Sequence, residues 1–214
     1  MSKQKVLPGK FIIIRHGESE WNALKRWTGT RDVPLTTKGH QEAREVAELV
    51  ADISIDYAYI SEQVRTRQTL EAMIESQGWS FDYEVDGRTN ERDYGIYTGK
   101  LKEDMRQEFG EELYQAVRRS WNQPIPEGET LKDVYARTLP FYQEKVLPRL
   151  SKGENVLLVG HGNSIRSMIK YIEDISDEDI AKAEMIFAAA LVYKVGSDGR
   201  AISKQVLETD ISHK

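Results

Sequence analysis

Two short apolar runs constrain this chain more than anything else in it. Phe11-Ile12-Ile13-Ile14 leads straight into Arg15-His16-Gly17, and Asn155-Val156-Leu157-Leu158-Val159 leads into Gly160-His161-Gly162. Unbroken runs of this length and β-branched character read as buried strands. A chain that needed only a turn after each would use Asn, Asp, Gly or Pro. Instead both strands end on an imidazole followed by glycine. In α/β sheets ligands bind beyond the carboxyl ends of the strands, where the strand order reverses. The two histidines therefore mark one candidate site.

The segments between support that class. Ala43, Val46, Ala47 and Val50 fall at helical spacing, as do Leu70, Met73 and Ile74 before a stop at Gly78, and Ile165, Met168, Ile169 and Ile172 after the second run. Residues 57–60 read as a short strand and 81–85 as a half-exposed one. From Asp86 to Lys102 no period holds, so that stretch reads as loop, followed by helical pieces over roughly 102–121 and a turn-rich link at 122–129. Thr130 and Asp133 form a capping-box pattern ahead of Leu131, Val134, Tyr135 and Leu139, a helix that Pro140 should kink or divide. Residues 190–195 and 201–207, joined across Ser197-Asp198-Gly199, read as a closing hairpin. Strands alternating with helices predict one α/β domain over 1–214 with a largely parallel sheet.

Composition removes several function classes. Thirty Lys and Arg against 35 Asp and Glu give a net charge of −5, which argues against a broad nucleic-acid or anionic-membrane footprint. With no cysteine, disulfides and thiolate zinc sites are impossible. The other histidines, His40 and His213, complete no HxH or HExxH spacing, so no metal is expected. Gly160-His161-Gly162-Asn163-Ser164 does not fit the serine-nucleophile elbow G-x-S-x-G. Four apolar residues near the N-terminus fall short of the roughly 7–15 of a secretory core or the 18 or more of a membrane span, so a cytoplasmic location is expected.

What chemistry would use two such histidines? A neutral imidazole can attack phosphorus, and the phosphoryl group passes on readily from the resulting N–P bond. Charge on the transferring group is stabilised by fixed cations, which Arg15 and Arg65 could supply as bidentate forks and His161, if protonated, as a third donor. The glycines would let backbone approach the ligand. Each residue also has a plain structural reading. A lone histidine at a strand end is more often a packed core residue, Arg118-Arg119 is by default a solvated helix face, and Glu91 could simply pair with Arg92.

With those residues in view, the chain resembles the histidine phosphatase superfamily and, within it, the 2,3-bisphosphoglycerate-dependent phosphoglycerate mutases. The matching stretches are RHGESEWN, TGTRDVPLTTKG, NERDYGIYTGKLK, RRSWNQPIPEGETLKD and VLLVGHGNSIRSMIKY, in the family's order. The resemblance implies a three-layer α/β sandwich with a mostly parallel central sheet flanked by helices. It implies that His16 is the phosphorylated nucleophile, that Arg15, Arg65 and His161 hold its phosphoryl group, and that Asn22 and the backbone around Gly162 complete the cradle. Glu91 would shuttle the hydroxyl proton. Tyr94, Lys102, Arg118, Arg119 and Asn163 would grip the substrate's carboxylate and second phosphate, and Ser19, Thr28 and Gly29 would form the loop over it. The activity implied is interconversion of 3-phosphoglycerate and 2-phosphoglycerate, with 2,3-bisphosphoglycerate as primer of phosphohistidine, no metal, and a homodimer or homotetramer as the assembly.

The chain departs from that pattern in places. Where the family has a Thr-Gly pair before the closing hairpin, this sequence has Phe187-Ala188, and Phe187 could narrow the pocket or face the core. Asp93 stands where His or Tyr is common, and Thr30-Arg31 where an aromatic usually follows Thr-Gly. Arg67 is the fallback for Arg65. These departures keep open a phosphatase acting on a small phosphorylated metabolite through the same nucleophile, and a phosphate sensor without catalysis.

Overall fold

The structure, a computed structural model, describes residues 5–183 and 188–209. Among these, β1 (Phe11–Arg15), β2 (Tyr57–Ile60), β3 (Asp82–Val85), β4 (Val156–Gly160), β5 (Ala189–Val195) and β6 (Ala201–Glu208) form one sheet in the order β3-β2-β4-β1-β5-β6. The first four are parallel, and β5 and β6 add an antiparallel hairpin beside β1. Helices α1 (Glu20–Ala23), α2 (Thr37–Leu49), α3 (Val64–Gln77), α4 (Lys102–Arg119), α5 (Leu131–Phe141), α6 (Leu147–Ser151) and α7 (Gly162–Ile172) complete an α/β sandwich.

Both apolar runs are covered on two faces, which is why they lack polar alternation. Phe11 and Ile13, with Val156 and Leu158, pack in a core with Phe141, Val146, Leu150, Ile165 and Met168. Ile12 and Ile14, with Leu157 and Val159, pack on the other side with Ala43, Val46, Leu70 and Met73. Leaving β1, the chain skips one position to β2, moves outward to β3, and returns to fill the gap with β4. Arg15 is thereby in register with Gly160. The residues that follow, His16 and His161, emerge side by side where the strand order reverses.

Three details add to the expectation. The short helix α1 had no periodic signal; Ser19 and Asn22 make it by a reciprocal capping box. Pro140 lies inside α5, and the expected division follows it directly, where a π turn at Tyr142–Val146 separates α5 from α6. Gly110, at φ 78°, divides α4 internally. The aperiodic stretch after β3 is loop with two short 3₁₀ turns, Gly87–Thr89 and Gly95–Tyr97. It is anchored by a third apolar cluster in which Trp27 packs with Tyr94, Tyr97, Tyr114 and Ile125. The Phe187 position lies outside the described residues, while Ala188 is buried with a left-handed φ of 52°. No helix among the described residues is long and apolar enough to cross a membrane.

Candidate active site

His16 follows β1 and is 3% exposed. Its Nδ1 lies 2.7 Å from the carbonyl of Gly17. A carbonyl can only accept, so Nδ1 carries the hydrogen and Nε2 keeps its lone pair. Arg65 confirms that assignment by donating from Nε to Nε2 at 3.3 Å. Burial and the fields of Arg65 and Arg15 hold the imidazole well below its ordinary range. His16 is therefore a neutral ring, fixed in one tautomer, with its nucleophilic nitrogen toward arginine.

Arg65 comes from the first turn of α3 and is almost completely buried. Its Nη1 and Nη2 donate to the carbonyls of Arg31 and Gly29 at 2.9 and 3.0 Å. Burial lowers both Arg65 and Arg15 to about 10, so both remain cations at neutral pH. Arg67 is exposed on the same helix and takes no part.

His161 is fully buried with its ring centroid 5.0 Å from that of His16. Its Nε2 pairs with Ser61 Oγ at 2.8 Å, and Nδ1 has no partner among the described residues. The condition set for His161 as a third cationic donor, that it be protonated, is not met in the resting site: burial, Arg65 and His16 push it well below the usual histidine range, so the ring is neutral. At Gly17 a Cβ would fall 2.1 Å from the carbonyl oxygen of Gly39, so its bare backbone serves the close contact with α2. Gly162 does face the cavity: a Cβ on it would stand 3.6 Å from Arg15 Cζ and from Glu91 Oε2.

Glu91 lies in the loop before α4. Its Oε1 accepts from the backbone N–H of Arg92 at 2.8 Å and of Asn163, in the first turn of α7, at 3.0 Å. The Glu91 N–H donates to Gln63 Oε1 at 2.9 Å. The ion pair considered between Glu91 and the Arg92 side chain does not form. Arg92 is buried, donating from Nη2 to the carbonyls of Val117 and Arg118 at the end of α4, with its guanidinium 4.6 Å from the Tyr94 ring centroid.

Beyond His16 the cavity is lined by Lys102, Arg118, Arg119, Arg26 and Arg166, with Glu91 the one acidic lining residue among the described residues. Lys102 is pushed down to about 8, chiefly by burial and then by Arg15 and Arg118. Asn163 donates from Nδ2 to the Tyr94 hydroxyl at 2.9 Å and accepts from Arg166 Nη1 at 2.7 Å. The Tyr94 proton is thus left to donate elsewhere. Asn22, Thr28 and Gly29 also line the cavity. Ser19 does not: it is fully buried, donating from its backbone N–H and hydroxyl to Asn22 Oδ1 at 3.2 and 2.9 Å, which holds Asn22 in place. Among the described residues no three His, Cys, Asp or Glu gather as a metal site.

Sequence reasoning missed Arg166, Arg26, Trp27, Gln63 and Ser61. Two of these left a signal. Arg166 stands three residues after Asn163 on α7, one helical turn along the same face, and Ser61 follows β2 at the same sheet edge as the two histidines.

Comparison with known proteins agrees with this fold. The family model described as histidine phosphatase superfamily (branch 1) matches residues 11–208. A Rhizobium meliloti protein named 2,3-bisphosphoglycerate-dependent phosphoglycerate mutase is 38% identical over 204 residues, covering 94% of this chain and 97% of its own. An Azorhizobium caulinodans protein of the same name is 39% identical over 197 residues, covering 91% and 96%. Among solved structures, Bacillus stearothermophilus YhfR is 25% identical with a TM-score of 0.78 over 90% of this chain and 94% of that one. The alpha-ribazole phosphatase of Shigella flexneri shares the fold at a TM-score of 0.74 and 22% identity, over 94% and 96%. With a buried, neutral His16 held between arginines where the strand order reverses, and a family match over nearly its whole length, this chain belongs to the histidine phosphatase superfamily.

Proposed function

We propose that this enzyme interconverts 3-phosphoglycerate and 2-phosphoglycerate through phosphorylated His16. The observation that carries the reading is the second set of cations beyond the nucleophile: Lys102, Arg118, Arg119, Arg26 and Arg166. A substrate whose sole anionic group is one phosphate would not call for these outer cations beyond Arg15 and Arg65. A phosphoglycerate carries charge at both ends and must react in two orientations, so it needs cations at each end. The names of the relatives at 38–39% identity support the same reading.

In this reading phosphorylated His16 gives its phosphoryl group to the 2-hydroxyl of 3-phosphoglycerate. The N–P bond breaks, an O–P bond forms, and Glu91 takes the hydroxyl proton. After the ligand turns over, His16 Nε2 attacks the other phosphorus, the second O–P bond breaks, and Glu91 returns the proton to the leaving oxygen. Arg15 and Arg65 carry charge on the transferring group, while the outer cations hold whichever anionic end is not reacting. The cationic ends of the cavity also fit 2,3-bisphosphoglycerate, which when bound would supply the phosphoryl group that primes His16.

The test uses purified protein and 3-phosphoglycerate, with and without 2,3-bisphosphoglycerate. Formation of 2-phosphoglycerate is followed by enolase coupling beside free phosphate, with His16→Ala as control. Primer-dependent 2-phosphoglycerate with little free phosphate is expected. Free phosphate without isomer overturns the mutase reading in favour of hydrolysis.

A further inference from the structure

Arg137, on α5, does not line the cavity, yet all five of its N–H groups are committed. Nε and Nη2 donate to the two oxygens of Glu129 at 2.8 and 2.9 Å. Nη1 donates to the carbonyls of Arg88 and Asn90 at 2.8 and 2.9 Å, and Nη2 to that of Glu91 at 3.1 Å. Glu129 Oε2 in turn accepts from the Asp93 backbone at 2.9 Å. One ion pair therefore gathers the main chain at 88, 90, 91 and 93, in a loop with neither sheet nor α-helix to fix it.

The ion pair alone would be a poor reason for this arrangement. Its side chains retain 22% and 26% exposure, and ion pairs that solvent reaches add little to stability. What the planar fork supplies is geometry: three carbonyls on one side, a carboxylate on the other, and a shape lysine cannot reproduce. The loop so held carries Glu91, whose carboxyl reaches the first turn of α7 only if its backbone stays in place.

We infer that Arg137 is a positioning residue for proton transfer: by pinning the carbonyls of Arg88, Asn90 and Glu91 it aims the Glu91 carboxyl at the leaving oxygen without touching substrate. The inference rests on the reading of Glu91 as proton donor. A misplacement of about 1 Å can cost on the order of a hundredfold in rate when a group acts by position. The loss should fall on substrates whose leaving oxygen needs a proton.

The test measures single-turnover phosphorylation of His16 from two donors. p-Nitrophenyl phosphate releases a phenolate that leaves unprotonated, whereas 2,3-bisphosphoglycerate or 3-phosphoglycerate releases an alkoxide that must be protonated. Arg137→Ala should lower the alkyl-to-aryl rate ratio by about tenfold to a hundredfold, in the direction set by Glu91→Gln. Guanidinium ion at millimolar concentration should restore part of it, since the site is partly open to solvent. If Arg137→Ala folds poorly, Arg137→Lys, which keeps the charge and loses the fork, gives the same comparison. An equal slowing of both donors, with Glu91→Gln still separating them, overturns the positioning role alone. If Glu91→Gln fails to separate the donors, or wild-type protein reacts with neither alkyl phosphate, the reading of the site falls and the inference with it.

Discussion

A histidine attacks phosphorus only through a nitrogen that has kept its lone pair. Two contacts secure this for His16, one on each side of the ring: Nδ1–H to Gly17 O, and Arg65 Nε–H to Nε2. Lys102 carries the most testable charge in the cavity, because burial brings its ammonium to about 8. Above that pH the side chain loses its proton and with it the attraction for an anionic end of the substrate. KM for 3-phosphoglycerate should therefore rise as pH increases from 7 to 9. Lys102→Arg should flatten that rise, since guanidinium keeps its charge throughout. A KM equally pH-dependent in the variant would show that Lys102 does not hold the ligand.

At the scale of elements, the site depends on how closely β1's exit passes α2. A Cβ on Gly17 would stand 2.1 Å from Gly39 O, and one on Gly39 would stand 2.1 Å from Glu18 O. Neither backbone partner can yield without moving the helix. Gly17→Ala and Gly39→Ala are each expected to cost about 1–3 kcal/mol or more in urea unfolding, with activity falling as His16 shifts. Gly162→Ala makes the contrast. Its methyl would meet Arg15 and Glu91 at ordinary contact distance, so stability should hold while KM rises because the cavity is partly filled. If Gly162→Ala were as destabilising as Gly17→Ala, the cavity would be tighter than these distances describe.

For the whole molecule, two neutral imidazoles buried beside two arginines tie stability to pH. Both His16 and His161 lie well below the unfolded value, which is about 6.5. As pH falls through that value the unfolded chain takes up protons that the native state refuses. Each histidine then removes about 1.4 kcal/mol of stability per pH unit until its native form titrates. Urea midpoints should fall between pH 7 and 5, and His161→Asn should show a shallower fall. An unchanged slope in that variant would mean that His161 is already charged in the fold.

Much of this was legible in the chain itself. Runs such as Phe11–Ile14 and Val156–Val159 can be satisfied only between two apolar layers, so these unbroken runs, alternating with helical segments, predicted the largely parallel core, and the residues ending those runs marked the site. Motif order supplied the family. Protonation and contact were not legible, because burial and through-space fields come from segments far apart in sequence. His161 is neutral because burial takes it out of water and Arg65 and His16 crowd it, and Ser19 turns inward to cap α1. Gly17 is bare for the sake of Gly39, and Arg137 reaches a loop nearly fifty residues away in the chain. The sequence by itself determined which strands carry which chemistry. Only the tertiary structure decided which atoms are charged, which are bound by the protein, and which remain for a ligand.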